Sequence, residues 1–61
     1  MDLYENILRE CRKQGKTIYA IEKKAGLQRG SVYKWKEHIP RVDKVKAVAE
    51  ALNTSVDTLV E

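Results

Sequence analysis

Apolar residues recur along this chain at three- and four-residue intervals, and no stretch shows the alternation of a half-buried strand. Ile7, Leu8 and Cys11 fall on one stripe of a helix expected from about Leu3 to Gln14. Asp2 with Glu5 three residues on makes a capping-box-like start, and Gly15 supplies the stop. Thr17 can cap the next helix, where Ile18, Ile21 and Ala25 share a face. Gly26 suits the left-handed conformation that ends it, and Leu27 can dip into the core. A second short helix is expected to start near Gln28, with Val32 and Trp35 on its packed side and Arg29, Gly30, Tyr33 and Lys34 on its flank and outer face.

This helix should break near His38, because Pro40 disfavours helical geometry in the residue before it. The loop that follows is polar except for Ile39, which can pin it to the core. Val42, Val45, Val48, Ala49 and Leu52 make a stripe for a fourth helix, and Asn53 can close it in the left-handed conformation. Ser55 then caps a last short helix in which Val56, Leu59 and Val60 pack. The economical reading is an all-α fold: a compact bundle of five short helices in one domain spanning residues 1–61.

Composition narrows the functions this bundle can serve. At 61 residues and 43% hydrophobic content there is material for one small core and no second one. The single cysteine allows no internal disulfide, and Cys11 lies in register with the apolar stripe, as a small buried hydrophobe does. His38 has no cysteine or second histidine with which to build a metal site. No apolar run approaches the roughly 20 residues needed to span a bilayer and no signal-peptide pattern opens the chain, so a cytosolic location and no membrane association are expected. The net charge of +3 is modest, but residues 17–40 alone carry +3, residues 1–16 carry +1 and residues 41–61 carry −1. The positive excess sits on the paired short helices and the loop after them, where it would draw in phosphate backbones.

The stretch from Thr17 to Trp35 resembles the helix-turn-helix of the phage-repressor, Cro-like and Xre-type DNA-binding domains. Ile21, Gly26, Leu27, Val32 and Trp35 occupy the family's core and turn positions. Leu8, Cys11, Arg12, Gly15 and Thr17 resemble its lead-in helix and loop, and Pro40, Val42, Val45, Val48, Ala49, Leu52, Ser55, Val56, Asp57 and Leu59 its last two helices. The resemblance covers nearly the whole chain and implies a lambda-repressor-like five-helix bundle, with a helix-turn-helix over about residues 17–37 formed by helices 2 and 3. Three positions depart from the pattern. Glu22 stands where a small alanine is usual, Ile18 replaces a frequent glutamine, and Gln28 sits where serine or threonine is common.

A helix-turn-helix lays its second helix in the major groove, where every base pair presents a distinct donor and acceptor pattern. The expected base-reading residues are Gln28, Arg29, Tyr33 and Lys34. Arg29 can pair bidentately with a guanine, and Lys34 can do similar work or hold a phosphate. Tyr33 offers a ring to a thymine methyl, and Gln28 can read adenine or cap the helix. Gly30 inside a helix costs about 1 kcal/mol against alanine; it either allows close approach to DNA or is a tolerated weak spot. Backbone contacts are expected from Lys16, Thr17, Ser31, Lys36, His38, Arg41 and Lys44. Trp35 is core by its spacing with Val32, and Tyr19 is an exposed ring on the first motif helix.

Nothing in the chain points to catalysis: no nucleophile lies at usable spacing from a base, and no glycine-rich phosphate loop is present. The expected function is sequence-specific binding of double-stranded DNA by a transcriptional regulator of repressor type, with no cofactor. A weak homodimer, or a dimer formed on DNA, is expected to use the last helix around Val56 and Val60. The rival is a protein-interaction module, such as an antitoxin or regulatory subunit, that keeps the bundle without reading DNA. Such a module would favour Leu or Met at positions 29, 33 and 34, where this chain has Arg, Tyr and Lys.

Overall fold

Asp2 begins the first helix by accepting the Glu5 N–H on its carboxylate at 3.2 Å. From there the computed structural model, which describes residues 2–61, runs through five helices: α1 (Leu3–Gln14), α2 (Ile18–Ala25), α3 (Ser31–Lys34), α4 (Val42–Ala51) and α5 (Val56–Val60). Thr17 accepts the Ala20 N–H at 3.1 Å and Ser55 the Thr58 N–H at 3.2 Å, so three helix starts are capped by side chains. Three helix ends are closed by one backbone device: Lys16 N–H reaches the Cys11 carbonyl, Leu27 N–H that of Glu22 and Thr54 N–H that of Ala49, at 2.8–2.9 Å. Gly26 at φ +77° and Asn53 at φ +57° supply the left-handed step this closure needs.

The helices close on a single core in which Ile7, Val32, Val48, Leu52 and Leu59 have no exposed surface and Ile21 almost none. α4 packs chiefly on α2, and α1 on α5. Each large aliphatic removed from water contributes about 1.5–3 kcal/mol. A chain this size retains roughly 3–9 kcal/mol in all. Every one of these side chains therefore counts.

Two polar side chains tie α1 to the far end of the chain. Asn6 is buried and donates from Nδ2 to the Leu59 carbonyl at 2.8 Å, while Gln14 donates to the Leu52 carbonyl at 2.7 Å. These bonds join elements that no local signal connects.

The structure departs from the sequence expectations at four places. On α1 the buried row is Leu3, Asn6, Ile7, Glu10 and Cys11, and Leu8 falls on its flank, half-exposed. The row follows the helical period through Leu3 and Ile7, which turns the residue after Ile7 sideways. Ile39 does not pin the loop: it is 92% exposed, and the residue covering the core at this end is the half-buried Trp35. Val42 is 75% exposed because it is the first residue of α4 and stands beyond the core; the stripe takes hold at Val45. The fourth departure, the start of α3, bears directly on the interface.

Candidate nucleic-acid interface

α2 and α3 meet through a turn built around Glu22. Its main-chain carbonyl accepts the Leu27 N–H that closes α2. Its carboxylate, 2% exposed, accepts the Gly30 N–H at 3.1 Å and the Val32 N–H at 2.9 Å. A carboxylate this deep is tolerated because both oxygens are paired with N–H groups that the start of α3 would otherwise leave without partners. Among the described residues, no buried side-chain nitrogen or oxygen lacks a partner. The departure from the small residue usual at this position therefore has a physical role: Glu22 does from α2 what a Ser or Thr cap would do from the turn.

Gln28 and Arg29 consequently precede α3 instead of opening it. The Ser31 N–H bonds the Gln28 carbonyl at 3.1 Å, and Gly30, at φ +91°, is the residue just before the helix. Gly30 is not a mid-helix glycine. It occupies a backbone conformation that L side chains rarely adopt, and the open space around it shows that conformation, not close packing, accounts for the choice. After Lys34 the chain makes one more turn, with Lys36 and Glu37 N–H groups bonded three residues back and His38 N–H bonded to the Lys34 carbonyl, before the break ahead of Pro40.

A cleft of about 560 Å³ opens between α3 and the start of α4. Gln28, Ser31, Lys34, His38, Arg41 and Lys44 converge on it, over an apolar floor that includes Leu27, Trp35 and Pro40, and no acidic residue lines it. Arg41 lies 3.4 Å from Asp43, but both side chains are mostly exposed, so that pair is weak and easily exchanged. The other candidates lie elsewhere. Arg29 projects from the turn, with its guanidinium carbon 4.7 Å from the centre of the Tyr19 ring. Tyr33, 60% exposed, is edge-on to Tyr4 at 5.8 Å, and the Lys36 ammonium lies 4.9 Å from the Tyr33 ring centre and 5.6 Å from that of Tyr4. Thr17 has its hydroxyl on the α2 cap, and Lys16 is exposed in the α1–α2 connection beside Cys11. Ile18, at the position of the frequent glutamine, is half-buried against the core and packs.

A family model described as Helix-turn-helix matches residues 8–59. The chain belongs to the Xre/lambda-repressor-like helix-turn-helix family. A search of the curated proteins finds no match. As a member of this DNA-binding family the domain has α2 and α3 as its helix-turn-helix, and the all-helical bundle is the family's fold. No helix among the described residues is long and apolar enough to cross a membrane. Two parts of the helix-turn-helix escaped sequence reasoning. The signal for Glu22 was there, a charged residue in a position that packs, eight residues before a glycine. The Tyr19–Arg29 contact had none, since a ten-residue separation across a turn carries no periodicity.

Proposed function

We propose that this domain is a transcriptional regulator of repressor type that recognises a specific double-stranded DNA site. The segment from Gln28 to Lys34 enters the major groove, with Arg29, Lys34, Gln28 and Tyr33 facing base edges. Ser31, His38, Arg41 and Lys44, with Lys16, Thr17 and Lys36, hold the phosphates on either side. The observation that best supports this is the cleft beside α3, where Lys34, Arg41 and Lys44 meet with no carboxylate among its lining residues. A cationic wall next to a polar reading edge is what a duplex requires, since phosphate contacts position a protein and base contacts specify its site. One bidentate contact is worth about 1–3 kcal/mol of discrimination.

One domain of this size covers a short site, and two copies on half-sites give useful specificity. The proposed pairing surface is α5, where Val56 and Val60 are only half-buried against the core. That leaves little apolar area for a partner, in keeping with a dimer that forms on DNA more readily than free in solution. The compartment is the one that holds the DNA, the cytoplasm for a bacterial or phage regulator. A protein-interaction role is favoured by one feature alone, the exposed aliphatic pair Ile39 and Val42.

Selection from a random duplex pool at near-physiological salt tests the proposal, run on the wild type and on an Arg29→Ala/Lys34→Ala variant. Enrichment of a short palindrome by the wild type, relaxed in the variant, is the expected result. Equal, weak and similarly salt-dependent binding by both proteins would refute sequence reading and direct attention to a protein partner for Ile39 and Val42.

A further inference from the structure

Three features of α2 and the turn after it bear on one side chain. Glu22 holds the Gly30 and Val32 N–H groups and so fixes the backbone just beyond Arg29. The Gln28 carbonyl, bonded by the Ser31 N–H, closes the same turn from its other side. Tyr19, three residues before Glu22 on α2, has the Arg29 guanidinium against its ring at 4.7 Å. One helix thereby sets both the main chain and the side chain of Arg29.

We propose that Glu22 and Tyr19 are positioning residues that aim the Arg29 guanidinium before DNA arrives, and so determine the base preference at the pair Arg29 reads. The inference rests on Arg29 being a base-reading residue. An arginine free in solvent loses conformational freedom when it docks, whereas one already stacked loses less. Contact through the ring leaves the N–H fork free for two parallel bonds to a guanine edge. Among the described residues, the guanidinium enters no salt bridge that would compete for that fork.

The test uses the 61-residue chain and the duplex enriched by the wild type, with all four base pairs presented at each position. Arg29→Ala should lower discrimination at one pair by roughly 5- to 150-fold, the equivalent of one bidentate contact. Tyr19→Ala should lower it at that same pair by roughly 2- to 5-fold, the scale of an exposed cation–π contact. Tyr19→Phe should preserve it. Glu22→Gln, which sets an amide NH2 against one of the two backbone N–H groups, should act at the same pair. In an Arg29→Ala background neither change should alter discrimination further. A purely structural role would behave differently, weakening binding to all sequences equally and persisting in that background, and such a result overturns the proposal while leaving base reading intact. Unchanged preference at every pair in Arg29→Ala overturns base reading by Arg29, and the aiming with it. Should Glu22→Gln fail to fold, Tyr19→Ala decides, because that ring is exposed and outside the core cluster.

Discussion

Replacing Gly30 with alanine distinguishes two pictures of the recognition segment by the sign of one free energy. Inside a helix, glycine is about 1 kcal/mol worse than alanine, so Gly30→Ala would stabilise the protein by about that amount. At the observed φ of +91° the substitution instead imposes a left-handed conformation on an L residue, at a cost of about 1–2 kcal/mol. A Cβ built there meets nothing within 4 Å, so no steric clash adds to the backbone strain. Restricting the unfolded chain offsets about 0.4–1 kcal/mol. The net expectation is a loss of up to about 1.6 kcal/mol, against the roughly 3–9 kcal/mol available to a chain this short. Urea denaturation followed by fluorescence of the single tryptophan, Trp35, reads this as a lower midpoint with unchanged slope. The thermal midpoint should fall by about 4–8 °C per kcal/mol lost. Gly30→Asn should lose less, because asparagine enters the left-handed region more readily. A Gly30→Ala protein more stable than the wild type by about 1 kcal/mol would refute the turn geometry and restore a helix that starts near Gln28.

Further consequences concern the core and the interface. Asn6→Ala removes the bond to the Leu59 carbonyl and should cost about 1–3 kcal/mol, with amide exchange in α5 accelerating more than in α2; equal acceleration in both helices would argue against a specific tether. Burial pushes the Cys11 thiol above its ordinary value, with Glu10 adding to the rise and Lys16 opposing it. The folded protein thus keeps this proton to higher pH than the unfolded chain. The resulting stability is complete below the unfolded thiol value of about 8.5 and is lost as pH rises through the folded one. Urea midpoints at pH 7 and pH 10 should therefore fall further for wild type than for Cys11→Ala; an equal fall contradicts the reasoning. Arg41→Ala and Lys44→Ala should each reduce the salt dependence of DNA binding by about 0.9 in the log–log slope while leaving base preference unchanged. A changed preference would move either residue from the backbone to the base edges.

Much of this protein is legible from its sequence, because much of it is local. Asp2, Thr17 and Ser55 cap helices through bonds spanning three residues, and Gly26 and Asn53 end helices by their own backbone preferences. The stripes through Ile7 and Cys11, Ile21, and Val45 to Leu52 follow the helical period. Those signals lie within single turns of chain, and the helices lie where they point. Tyr33 and Lys34 are exposed on α3, and Gln28 and Arg29 are exposed in the turn before it, so packing does not constrain their identity.

What the sequence left open depends on which groups meet across the fold. Asn6 bonds a carbonyl 53 residues away and Gln14 one 38 away, and the first of these encounters gives the amide N–H of the buried Asn6 its partner. Ile39 and Val42 are as apolar as their buried counterparts, yet among the described residues no element covers them. Glu22 is the sharpest case. By composition it belongs on a surface, and its burial becomes favourable only where a turn eight residues later brings two unpaired N–H groups to its oxygens. Local preference sets where helices form; the free energy of burying a particular atom depends on its partner, and the partner is supplied by the tertiary structure.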